Sequence, residues 1–297
     1  MTEALAFLER RVLATGGVAT RSQLHDVSQW TLRRAVTEGV LVRDTRGAYA
    51  VPQIVSDARA ARRLSGALSH LSAALAHGWS VAHTPRPQIV VPRGRRLRLP
   101  VGDCDVRWRA VSTGELQRGV TDPLATVVDC ACDLPFPEAL AVADAALRDG
   151  LTKEDLRDAT AGLQRPGSRQ AALVARFADP GAENAFESAL RAHCLQIPGL
   201  TPRTQVTIGE GDTAARVDVG DKELRIAVEA DSFAWHGQRD QLHRDATRYN
   251  EIVILDWLLL RATWEAVFDG SGALRRWLRG AVFLRRGRAV PPALVTL

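Results

Sequence analysis

Apolar residues at Ala4, Leu5, Leu8, Val12 and Leu13 recur at helical spacing, and Gly16-Gly17 stops that run. Thr20 can cap a short second helix holding Leu24. Ser28 can cap a third from Gln29 to Glu38, which Gly39 closes where a left-handed residue is wanted. From Val40 to Val51 the pattern changes to alternation around a polar turn, Asp44 to Gly47, and predicts a β-hairpin. Short helices followed by a hairpin make the order of a winged helix-turn-helix, with helix three as reader and hairpin as wing. On helix three, Leu32, Ala35 and Val36 face a core and Gln29, Arg33 and Arg34 face outward. Trp30 fits either the core or the polar side.

The middle of the chain mixes both periods. Leu68 to His77 reads as an Ala-rich helix, and "PQIVVP" and "CDVRWRAV" read as strands on either side of the basic turn Arg93 to Arg98. Helices follow over Thr121–Cys132, Pro137–Arg148 and Lys153–Leu163, then a loop at Arg165 to Ser168. His70 and His77 share a helical face, a spacing open to a ligand pair or to core histidines. Beyond Pro180 the order is a helix (Ala182–Cys194), the strand "TPRTQVTI", two strands in "AARVDVGDKELRIAVEAD", a helix over Arg239–Asn250, a strand in "IVILDWLLLRAT" and a last helix, Trp264–Leu278. The fold class expected is α+β and multidomain: a winged helix-turn-helix at 1–52, a mixed α/β middle at 53–175 and an αβββαβ domain at 180–288.

Composition adds limits. The chain has 297 residues, 46% hydrophobic and 25% charged, which excludes whole-chain disorder. Net charge is +5, and of 39 Lys+Arg only Lys153 and Lys222 are lysine, so arginine abundance by itself carries little. Its distribution says more. Eight arginines fall between Arg86 and Arg118 against Asp103, Asp105 and Glu115, and the stretch from Ser271 onward has six arginines and no acid. Such stripes are solvated faces or the footprint of a polyanion. Four cysteines without a C-x-x-C spacing, and acids within the first ten residues, lead to the expectation of a reduced cytoplasmic protein without a signal peptide. No apolar run reaches the ~18 residues of a membrane span.

Chemistry concentrates in the last segment. Asp218 and Glu229 lie at equal distances from a centre between Glu223 and Leu224, so a hairpin turning there sets their carboxylates side by side. Carboxylates on adjacent elements are what Mg²⁺ takes as ligands. Such an ion activates water and neutralises the oxyanion formed in phosphodiester hydrolysis. Plainer assignments stand beside this one: Glu187 pairing Arg191 at i+4, or Asp218 facing solvent from an alternating strand.

The segments themselves resemble known families. "GGVATRSQLHDVSQWTLRRAVTEGVLVRDTRGAYAVP" resembles the winged-helix domain of AbiEi-type antitoxins of type IV toxin–antitoxin systems, and "ALSHLSAALAHGW" and "GVTDPLATVVDCACDL" resemble the middle region of proteins carrying that domain. "NAFESALRAHCLQIPGLTPRTQV…RVDV…RIAVEADSFAWHG…HRDATRYNEIVILDWLLLRATWEAV" resembles the endonuclease-like domain related to very-short-patch-repair (Vsr) enzymes of the PD-(D/E)XK class. The second resemblance implies Mg²⁺ or Mn²⁺ ligands at Asp218 and Glu229, support from Glu187 and Asp231, and His236 as proton carrier. It also places Arg244, Asp245, Arg248 and Asn250 where they orient the acids or touch phosphate. Asp231 stands where the class usually has lysine, and Asp256 where a turn glycine is usual.

Two functions follow as expectations. One is a metal-dependent endonuclease that binds double-stranded DNA through Gln29, Arg33 and Arg34, the wing residues Arg43 and Arg46, the turn residues Arg93, Arg95 and Arg96, and Arg244 and Arg248. The other is a non-catalytic transcriptional regulator or antitoxin that binds DNA and a toxin protein. Neither involves a membrane.

Overall fold

A computed structural model of the chain describes residues 3–14, 18–45, 48–97, 101–211, 214–231 and 239–295. It is a mixed α+β structure that divides into two units, Met1–Pro180 and Gly181–Leu297.

The first unit opens with α1 (Glu3–Ala14), β1 (Val18–Thr20), α2 (Gln29–Thr37), β2 (Val42–Thr45) and β3 (Ala48–Ala50). The three strands form an antiparallel sheet in the order β1-β3-β2. Residues 21–26, expected as a short helix, form turns instead. Arg11 reaches across to the Asp26 carboxylate and the Gln23 carbonyl there, so tertiary hydrogen bonds shape the segment. Ser28 caps α2 by accepting from the Thr31 N–H at 3.0 Å, and Gly39 follows the helix at φ 73°.

The remaining elements are α3 (Pro52–Leu64), β4 (Ala67–Leu68), α4 (His70–Ala76), β5 (Gln88–Pro92), β6 (Asp105–Arg109), α5 (Thr113–Arg118), α6 (Pro123–Asp133), α7 (Phe136–Arg148), α8 (Lys153–Thr160) and α9 (Ser168–Phe177). β4, β5 and β6 make a second sheet in which β5 and β6 run parallel, so the basic turn after β5 begins a crossover rather than a hairpin. Ala61 and Leu64 of α3 pack with Leu68, Ala73, Ile89 and Val91 to form its core.

The second unit runs α10 (Ala185–Leu195), β7 (Arg203–Ile208), β8 (Ala215–Asp221), β9 (Ile226–Asp231), α11 (Arg239–Ile254), β10 (Leu258–Thr263), α12 (Trp264–Phe268) and α13 (Ala273–Arg285). Its sheet has the order β10-β9-β8-β7, with β7, β8 and β9 antiparallel and β10 parallel to β9 through the α11 crossover. Both faces are covered. Val219, Ile226, Val228 and Ala262 pack with Phe186 and Leu190 of α10 and with Leu274 and Leu278 of α13. Val206, Val217 and Ala227 pack with Ile252 of α11. Ile252 to Ile254, read as the start of a strand, complete α11, because Ile252 is needed in that core. The single helix expected over Trp264–Leu278 is two, interrupted at Gly270 and Gly272, both left-handed (φ 70° and 71°). Asp256, where a turn glycine is usual, adopts φ 61° and is held by Arg285 at 2.9 Å and Arg225 at 3.2 Å, so the turn forms without glycine. Among the described residues, no helix is long and apolar enough to cross a membrane.

Candidate functional site

The acidic residues of the second unit gather where the β8–β9 ladder ends. Val219 pairs with Val228 and Asp221 with Ile226, which fixes the centre of this hairpin between residues 223 and 224. The next pair outward in that register is Asp218 and Glu229. Beyond the ladder, the Ala230 N–H donates to Asp218 Oδ2 at 2.8 Å. Glu187 arrives from α10. Asn184 caps that helix by accepting from the N–H groups of Phe186 and Glu187 at 2.9 and 3.0 Å, which puts Glu187 in its first turn. There Glu187 is only 7% exposed, and its carboxylate accepts from the Glu183 N–H (2.8 Å), Asn184 Nδ2 (2.7 Å) and Gln205 Nε2 (3.0 Å). Gln205 lies inside β7 with φ 50°, at the position the β7–β8 ladder skips between Thr204↔Val219 and Val206↔Val217.

Arginines of α11 and β10 meet the β9 acids. Arg248 forks onto Glu229, Nη1 to Oε1 at 2.6 Å and Nη2 to Oε2 at 2.8 Å, and Nη1 also reaches the Arg216 carbonyl at 3.3 Å. Arg261 pairs with Asp231 at 2.6 Å. Both guanidinium groups lie against the Tyr249 ring, Arg248 at 5.0 Å and Arg261 at 4.4 Å from its centroid.

The electrostatics of the cluster are those of crowded negative charge. Burial, with an added push from Asp218, raises the Glu187 carboxyl to about 7 against an opposing hydrogen bond from Glu183. Burial also raises Asp218, opposed by the Ala230 N–H and the charge of Arg248. It raises Glu229 as well, opposed by the Arg248 fork. A resident Mg²⁺ does not fit this set as folded. Both oxygens of Glu229 are taken by Arg248, and both oxygens of Glu187 accept from neighbouring N–H groups. Among the described residues, no group of three or more His, Cys, Asp or Glu could hold a metal ion.

The other candidate residues fall as follows. Arg244 is exposed on α11, and His236 lies outside the described residues. On α2, Leu32 and Ala35 are fully buried while Gln29 and Arg33 are exposed, and Trp30, read as either core or surface, is 68% exposed. Arg34 pairs with Glu38 at 2.6 Å and lies over the Trp30 ring. Arg43 is exposed, and Arg46 lies outside the described residues. Arg93, Arg95 and Arg96 are exposed after β5, beside the exposed Trp108 of β6, whose Nε1 donates to the Arg95 carbonyl at 3.0 Å. His70 and His77 do not form a ligand pair: His70 is hydrogen-bonded to Asp133 and His77 to the Thr121 carbonyl.

Two features escape a reading of the sequence. Gln205 gives no spacing signal, because its contact with Glu187 depends on a backbone twist inside a strand. The first unit also holds a buried ionic network assembled over long separations. Arg109 bonds Asp129 at 2.8 Å and Glu115 at 2.9 Å, and Arg165 bonds Asp129 and Asp133 at 3.0 Å.

No family model matches the sequence. Over 252 residues, 80% of this chain and 91% of the relative, it is 32% identical to the uncharacterized protein Rv2248 of Mycobacterium tuberculosis strain ATCC 25618 / H37Rv. The same identity and coverage hold for the uncharacterized protein MT2308 of strain CDC 1551 / Oshkosh.

Proposed function

The chain belongs to the family of these two mycobacterial proteins, and we propose that it is a DNA-binding regulator. In this reading the N-terminal segment is a winged helix-turn-helix of the AbiEi type, and the second unit is a Vsr-related, nuclease-like domain that grips rather than cuts. The supporting observation is the partition of α2: Leu32 and Ala35 are buried, and Gln29, Trp30 and Arg33 stand in solvent. Arginine is the side chain that reads guanine in a major groove, and glutamine reads adenine. In this reading the hairpin of β2 and β3 carries Arg43 toward phosphate, and the antiparallel sheet order β1-β3-β2 supports its role as a wing. An antitoxin role adds a toxin protein as partner and repression of the chain's own promoter as the activity. Both belong to the cytoplasm.

A gel shift against double-stranded DNA tests this. Arg33→Ala is expected to weaken binding by about 10- to 100-fold. Binding should fall with salt along a linear log–log slope, and a flat slope rejects the arginine footprint.

Hydrolysis is the second reading, favoured by the convergence of Glu187, Asp218 and Glu229 with carboxyls raised by burial. It predicts plasmid nicking in Mg²⁺ or Mn²⁺ that disappears in Asp218→Ala. Intact plasmid under both metals, with the gel shift retained, selects the regulator.

A further inference from the structure

The acidic site carries its own cation. Of the ionised partners around Glu229, Arg248 makes the closest approach, and it is held in place from several sides. It forks onto both carboxylate oxygens at 2.6 and 2.8 Å, takes the Arg216 carbonyl with Nη1, and stacks on the Tyr249 ring. A guanidinium with planar, bidentate geometry is far more fixed than a solvent-exposed ion pair. The neighbouring acid of β9 is treated in the same way: Asp231 is paired by Arg261, which rests against the same ring. Tyr249 thus gathers two guanidinium groups, one for each β9 acid.

We propose that Arg248 is the resident counter-ion of this site, occupying the side of Glu229 that a divalent metal would need, so that the second unit folds and persists without metal. The inference rests on the nuclease-like reading only for the identity of the ion that is excluded. Removal of the guanidinium is expected to turn the cluster into a cation site. Glu229 would then present both oxygens beside Asp218, whose Oδ1 has no hydrogen bond from Ala230.

The test is a Mn²⁺ titration of the full chain, without DNA, followed by the electron paramagnetic resonance signal of the free ion. Thermal unfolding in EDTA and in Mg²⁺ runs in parallel. Wild type is expected to leave the free Mn²⁺ signal unchanged and to unfold at the same temperature with or without metal. Arg248→Gln is expected to bind Mn²⁺ at least about tenfold more tightly than wild type, and to lose stability in EDTA that Mg²⁺ restores. Arg248→Lys keeps the charge but loses the fork, and should bind Mn²⁺ with an affinity between those of wild type and Arg248→Gln. Wild type binding Mn²⁺ as tightly as Arg248→Gln would overturn the proposal. So would a folded Arg248→Gln that gains no affinity. If Arg248→Gln is unfolded in EDTA, its recovery of structure with Mn²⁺ supports the proposal. If it stays unfolded in both, Arg248→Met decides, since it removes the guanidinium, leaves the acids and keeps an apolar side chain for the Tyr249 ring. A gain in Mn²⁺ binding there supports the idea and wild-type affinity overturns it. A failed gel shift would sink the DNA-binding reading without touching any of these outcomes, whereas plasmid nicking by wild type in Mg²⁺ would overturn this inference and support hydrolysis.

Discussion

In the first unit, Glu115, Asp129 and Asp133 are each met by arginine, Arg109 or Arg165, and Asp133 by His70 as well. In the second, only Glu229 takes an arginine fork, from Arg248; Asp218 is hydrogen-bonded by the Ala230 N–H and feels Arg248 and Arg216 only through space, and Glu187 accepts from the uncharged N–H groups of Glu183, Asn184 and Gln205. Burial acts on both groups, and it is the largest influence on Glu115, Asp133 and Glu187 alike. In the first unit, hydrogen-bonded partners overcome it, and Glu115 and Asp133 lie below their ordinary range. In the second they do not, and all three carboxyls lie above it. The lesson is that burying acids does not by itself mark a functional site. The mark is negative charge left without enough positive partners, a condition folding disfavours and function can exploit.

The largest effect expected from this contrast is in the matched network. Arg109→Ala leaves Asp129 and Glu115, 3% and 4% exposed, without a principal partner. It should cost about 3–5 kcal/mol in a urea titration. A loss below about 1 kcal/mol would mean that the network is not a structural clamp and would break the comparison.

The unmatched site should behave in the opposite sense. The folded-state value of Glu187 is raised from 4.5 to about 7, so the folded protein keeps this proton where the unfolded chain releases it. Stability is then undiminished below the unfolded value, falls as pH rises toward about 7, and stays reduced above it. Glu187→Gln removes the cost of ionisation. It should raise stability by up to about 3 kcal/mol near pH 8 and leave it unchanged near pH 4. A variant less stable than wild type near pH 8 would show that the acid is structural. Glu115, shifted downward, has the reverse sign: its contribution is present near neutral pH and is lost on acidification through its lowered value.

A neutral control gives the smallest effect. Ser28→Ala removes the α2 cap and should cost about 1 kcal/mol with little dependence on salt or pH. A strong salt dependence there would show that charge, rather than capping, sets α2.

Local signals are good guides where short-range chemistry decides. Ser28 and Gly39 bound α2 as their cap chemistry predicts, and the symmetric placement of Asp218 and Glu229 located the hairpin centre that the ladder confirms. They failed where distant contacts decide. Residues 252–254 are β-branched and apolar enough to suggest a strand, but Ile252 is drawn into a helix by the core beneath the sheet. The start of α3 at Pro52 carries a local signal of its own, proline at a first helical turn. The fork of Arg248 onto Glu229 joins residues 19 apart on different elements, and only the packing of α11 on the sheet brings them together.

Gln205 has a consequence for the whole sheet. A non-glycine residue held at φ 50° inside β7 carries roughly 1–3 kcal/mol of backbone strain. That strain acts as an alignment pin. Sliding β7 by one place would force the left-handed conformation onto Thr204 or Val206, β-branched residues that accept it still less readily. The strand therefore has one comfortable setting against β8, and the strained twist protects the geometry around Glu187 from shear.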